Sequence, residues 1–182
     1  MDTRLNELRN RIGAIDREIV AALAQRSRLG CPAQPLTAPT AAEASDPFAM
    51  RVRAEYTPLV VEKLCAHEIM AADTSACAAA DRVVVDAVCR RLRIALEIAR
   101  AKAAGQTPRF RALVAARDVA GLAQAITQPA VEEQVIARTV TLARELHTAG
   151  VPTDFSDRVA AIYRDWIIPL ARRVQVETLL AG

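Results

Sequence analysis

Residues 79–102 read AADRVVVDAVCRRLRIALEIARAK. Within them Val84, Val85, Val88, Leu92, Ala95, Leu96, Ile98 and Ala99 recur at helical spacing, which lays an apolar stripe along one face. Gly105 and Pro108 then close the pattern. The stretch predicts one long amphipathic helix over 78–104 and sets the expectation of an all-α chain.

Upstream, Leu5, Leu8, Ile12, Ile15, Ile19, Ala22 and Leu23 mark a second long helix over 3–29, stopped by Gly30 and Pro32. Both helices carry arginines, and their likeness fits either an ancient duplication or, as slightly favoured, shared composition. Between them, 30–47 (GCPAQPLTAPTAAEASDP) has the prolines and small residues of a loop. A weaker helical pattern covers 48–72, where Pro58 predicts a turn or a helix start. Downstream, 109–126 predicts a short helix plus a turn, 129–149 a helix closed by Gly150-Val151-Pro152, and 155–180 a last helix kinked at Pro169. The organisation expected is a helical segment (1–30), a proline-rich linker with a weakly patterned stretch (31–77) and a helical unit (78–182).

Composition agrees. Apolar residues make up 52% of the 182 residues but aromatics only 3%. The core is therefore aliphatic and suits closely packed helices. Six glycines argue against an all-β fold. A net charge of +3 falls short of a nucleic-acid-binding signature. No apolar run approaches the roughly 18 residues of a membrane span. The opening MDTRLNELRN has no apolar signal core. Cys31, Cys65, Cys77 and Cys89 form no C-x-x-C pair. A cytoplasmic protein with reduced thiols, its cysteines serving as small core residues, is the expectation. Trp166 reads as a core anchor.

The motifs of common chemistries are absent. His67 and His147 belong to no metal pattern, and there is neither a phosphate-cradling glycine loop nor a G-x-S-x-G elbow. No nucleophile–base pair and no cofactor site are indicated. What remains is cations on helix faces. Arg91 and Lys102, eleven residues apart, return to within roughly 20° of one face and about 16 Å apart along the axis. Such a pair can grip the two ends of a small dianion, or it can be a solvated basic edge shared with Arg93 and Arg100.

Four stretches resemble the all-helical chorismate mutases. LRNRIGAIDREIVAALAQRSRL (8–29) resembles the opening of that family's first helix, and RLRIALEIARAKAAGQTP (91–108) its later half. ITQPAVEEQVI (126–136) is similar to the start of the second helix, and GVPTDFSDRVAAIYRDWIIPLARRVQ (150–175) to the third. The resemblance implies a helical bundle of long antiparallel helices, often assembled as an intertwined homodimer. It implies conversion of chorismate to prephenate in aromatic amino acid biosynthesis, without cofactor or metal. Isochorismate–pyruvate lyases and aminodeoxychorismate mutases share the helix pattern, and a non-catalytic binding or regulatory member would share it too.

Carried onto this sequence, the resemblance makes Arg9 an arginine that crosses to a neighbouring site, and Arg26 and Arg91 carboxylate-binding arginines. Lys102 would touch a carboxylate and the ether oxygen, Glu132 the ring hydroxyl and Gln175 the ether oxygen. Gln128 stands where the family has an aspartate, Val131 where it has an arginine, and Ala171 at a usual serine or threonine. Thr37 follows Arg26 where a lysine is usual, Thr74 precedes Arg91 where the crossing arginine is usual, and 109–125 replaces a short turn. The two arginine-bearing helices are thus complementary, one keeping Arg9 and the other Lys102.

Overall fold

The computed structural model describes residues 3–29, 38–64, 73–104, 107–146 and 150–181. The expected stops at Gly30–Pro32 and Gly105, and Cys31, Thr37, Cys65, His67 and His147, lie outside these residues. All regular structure among the described residues is helical. Two long helices, α1 (Thr3–Arg28) and α5 (Thr74–Ala104), form the centre. They run antiparallel: Arg11 faces Glu97, Asp16 faces Arg91 and Arg26 faces Asp81. The apolar stripes read from sequence meet along this seam. Ile19, Leu23, Val84, Val88 and Leu92 are all fully buried.

The 38–64 region contributes more than a loop. Thr40 and Glu43 form a reciprocal capping box on the short α2 (Ala41–Ala44). Asp46 caps α3 (Pro47–Tyr56), with Pro47 in its first turn, where a missing N–H costs nothing. Pro58 does not break the chain's helical course. A π-helical turn, Thr57–Val61, carries it on into α4 (Glu62–Leu64), the Glu62 N–H reaching back to the Thr57 carbonyl. Val52, Tyr56, Val60, Val61 and Leu64 enter the main core. The periodicity looked weak because the π turn shifts the phase of the apolar face.

After α5, the span expected as one short helix and a turn is two short helices, α6 (Pro108–Ala115) and α7 (Val119–Ile126). Then come α8 (Pro129–Glu145), α9 (Phe155–Ile162) and α10 (Ile168–Ala181). A second π turn, Tyr163–Ile167, joins α9 to α10 and ends two residues before Pro169. There the Ile168 N–H bonds the Tyr163 carbonyl, so the ladder has already shifted by one residue where the proline lacks its donor. Trp166, within this turn, is 1% exposed, and its indole N–H donates to Glu55 at 3.0 Å. Main-core residues come from α1, α3, α4, α5, α8, α9, α10 and both π turns, and a smaller cluster of Ala99, Leu122, Ile126, Val176 and Leu179 ties α7 to α5 and α10.

Cys89 is a buried core residue, and burial pushes its thiol up to about 12. Cys77 is buried too but is engaged in a disulfide, which corrects the expectation of reduced thiols. Its nearest cysteines in sequence are twelve residues away on either side, so no local motif announced the bond. No described helix is long and apolar enough to cross a membrane.

Candidate active site

One cavity of about 220 Å³ is walled by α1, α5, α8 and α10. Arg9 reaches it from α1, Arg91 and Lys102 from α5, Gln128 and Glu132 from the start of α8, and Gln175 from α10. The structure thus brings together six of the seven residues singled out from sequence. Arg26 is not among them. Its side chain is fully buried at the other end of the α1–α5 seam, where its Nε donates to Asp81 at 2.6 Å and Tyr56 donates to the same carboxylate oxygen at 2.7 Å.

The cations differ in their settings. Arg91 is 4% exposed and donates from Nε to Asp16 at 2.7 Å. Burial alone would lower its guanidinium, but the Asp16 carboxylate, and after it Tyr163, together offset this and hold it above the ordinary arginine value. Its guanidinium also lies 5.8 Å from the centre of the Tyr163 ring. Lys102 donates to the Ile126 carbonyl at 3.0 Å, at the C-terminus of α7, where the helix dipole favours a cation. Burial and the neighbouring charge of Arg9 push its ammonium below the usual lysine value, while Glu132 opposes them. Arg9 is exposed at the cavity mouth, with Asn6 at 3.5 Å as a weak partner.

Two residues are fixed by neighbours in ways that leave donors or acceptors to spare. The Gln175 amide nitrogen donates one hydrogen to the Ala95 carbonyl at 3.2 Å, so its second hydrogen is available. Both oxygens of Glu132 accept from Arg172, at 2.7 and 2.8 Å. Arg172 and Arg138 also line the cavity, although neither is among the site residues expected from sequence. The signal was available for Arg138: it lies seven residues beyond Val131, two turns along the same helix face. Val131, Ile98, Ile168 and Ala171 supply apolar wall. A wider groove of about 690 Å³ opens alongside, sharing Arg9, Lys102, Ile126 and Gln128 and bounded by α6 and α7. No cluster of three metal-ligating side chains occurs among the described residues.

Fold and cavity together define an all-helical protein whose long helices carry arginine, lysine and amide groups into one small pocket. Residues 75–176 match the family model for chorismate mutase type II, and the chain belongs to that family. It is 36% identical over 115 residues to chorismate mutase 1, chloroplastic, of Petunia hybrida, an alignment covering 57% of this chain and 35% of that protein. It is 36% identical over 98 residues to the chorismate mutase of Schizosaccharomyces pombe, covering 50% and 39% respectively. The chain therefore matches well under half the length of these relatives. The fold is shared with the crystal structure of the Aro7p chorismate mutase of Candida albicans in complex with L-Trp. That superposition has a TM-score of 0.76 at 18% identity and covers 97% of this chain and 90% of the other.

Proposed function

We propose that the chain converts chorismate to prephenate in the cavity between α1, α5, α8 and α10. The observation that carries this reading is the convergence of Arg9, Arg91, Lys102, Glu132 and Gln175, from four helices of one chain, on a pocket the size of a small molecule. Chorismate carries two carboxylates and an enolpyruvyl ether. In its rearrangement the ether C–O bond breaks as a C–C bond forms within the same molecule, so nothing leaves and no nucleophile is required.

Two effects accelerate such a step. Holding the flexible substrate in its compact, reactive conformation removes an orientational barrier. Fixed cationic and hydrogen-bonding groups stabilise the negative charge that gathers on the ether oxygen as the bond breaks. Arg91 and Arg9 suit the first task as carboxylate grips, and Glu132, held by Arg172, suits the ring hydroxyl. Lys102 and the free amide hydrogen of Gln175 suit the ether oxygen. Lys102 spends one of its three N–H donors on Ile126 and keeps two. Gln128, at the N-terminus of α8 with no capping bond of its own, is left to meet the ligand.

The test is prephenate formation by the purified chain. Replacing Lys102 with alanine is expected to lower kcat/KM by on the order of 10²–10³, the usual loss for one preorganised donor at a developing charge. Turnover unchanged in that variant would remove the reading. A member that binds without turnover is the second reading, favoured by the apolar Val131 and Ala171 in the wall. Saturable binding of a transition-state mimic with no prephenate formed would select it.

A further inference from the structure

Asp16 has no exposed surface, and its carboxylate is ringed by donors. Its Oδ1 accepts from Arg91 Nε at 2.7 Å and from the Tyr163 hydroxyl at 3.1 Å, and its Oδ2 accepts from Arg138 Nη2 at 2.5 Å. A buried carboxylate is tolerated only when it is neutralised and its lone pairs are filled. One negative charge set between two guanidiniums leaves a net positive charge on the cavity side. Each guanidinium has five N–H donors, and Asp16 takes one from each.

Arg138 stands on α8, with its side chain 43% exposed, and reaches across to α1. There its guanidinium lies against Gly13: a Cβ at that position would meet Nη1 at 3.6 Å and Cζ at 3.7 Å. A methyl would be accommodated, but a longer side chain would push the guanidinium off this shelf. The cavity's cations therefore fall into two groups. Arg91 and Arg138 flank Asp16, while Arg9 lies close enough to Lys102 to disturb its protonation.

We propose that Arg138 is a carboxylate-binding residue of this cavity, acting beside Arg91, and that Asp16 is the positioning residue that sets the two guanidiniums side by side. The two cation groups would take one carboxylate each. The inference rests on the chorismate reading above for its substrate, and its test separates the two.

Arg138→Ala, Arg138→Lys and Asp16→Asn are assayed for prephenate formation in the full chain, with melting temperatures measured alongside. A carboxylate grip acts on ground state and transition state alike, so Arg138→Ala raises KM at least tenfold and changes kcat much less. Arg138→Lys, which keeps the charge, recovers part of that loss. Asp16→Asn raises KM further because Arg91 is loosened too. An Arg138→Ala variant with a lowered melting temperature and a KM within twofold of the parent shows a structural prop and overturns the inference. Should Asp16→Asn fail to fold, the half-exposed Arg138 variants still decide. Should the parent chain form no prephenate, the activity reading fails. Calorimetry with a bicyclic ether dicarboxylate, a mimic of the transition state, then tests the site alone. A dissociation constant at least tenfold weaker in Arg138→Ala supports it. An unchanged constant, or no binding by the parent, overturns it.

Discussion

Lys102 donates to the Ile126 carbonyl while burial, and then the charge of Arg9, act to discharge it. A lysine lowered in this way loses its proton at a lower pH than the ordinary value near ~10.4. If the protonated form is the one that meets the ether oxygen, kcat/KM falls as pH rises through that lowered value. Arg9→Gln removes a like charge, so the alkaline limb is expected to move to higher pH even as overall activity drops. A kcat/KM profile of parent and variant against pH reads both effects. Arg26 poses the opposite case. It shares with Arg91 the sequence context of an arginine on a long amphipathic helix, but its guanidinium is engaged with the buried Asp81. Arg26→Ala leaves a buried carboxylate uncompensated and is expected to cost about 3–5 kcal/mol in urea unfolding. KM for chorismate in the folded protein should be unchanged. A raised KM with stability intact would place Arg26 in substrate binding after all.

Among the elements, the α6–α7 pair shows how local chemistry shapes the cavity mouth. α6 ends with Arg117 at φ 52, in the left-handed region that favours glycine. The Arg117 N–H bonds the Val114 carbonyl and the Asp118 N–H the Leu113 carbonyl, the paired bonds that close many helices. Asp118 at once caps α7 through Gly121 at 2.8 Å. Arg117→Gly relieves the strained conformation at the loss of one long contact to the Leu180 carbonyl. It is expected to stabilise the protein by about 0.5–1 kcal/mol, read from the urea midpoint. A loss of stability would mean that the Leu180 contact matters more than the backbone. The same tight turn aims the C-terminus of α7 at Lys102, so this span of sequence holds a cavity residue without contributing a charged one.

At the scale of the whole molecule, the cavity gathers side chains from position 9 to position 175. Any ligand seated there bridges α1, α5, α8 and α10 and binds only the folded chain. At a hundred times its dissociation constant, such a ligand adds about 2.7 kcal/mol to stability. For a chain of this length that corresponds to a rise in melting temperature of roughly 5–10 °C. The dicarboxylate mimic is expected to produce it, and a monocarboxylate analogue at equal concentration a much smaller one. Equal shifts from both would argue that the two cation groups do not each take a carboxylate.

Sequence by itself determined the helical class, the two long helices and the apolar stripes that join them, because amphipathic periodicity is a local property that survives in any helical packing. It also offered several of the cavity's polar residues, since helix spacing and family pattern mark Arg9, Arg91, Lys102, Glu132 and Gln175. Only the tertiary structure decided that Arg91 faces the cavity while Arg26 is enclosed. Both are arginines on long amphipathic helices, and they differ in their long-range partners, Asp16 behind the cavity wall in one case and Asp81 with Tyr56 away from it in the other. The π turns beside Pro58 and Pro169 were equally hidden, because widening a turn by one residue depends on what the neighbouring helices need to bury. Long-range pairing, not local pattern, assigns a charged side chain to a site or to the core.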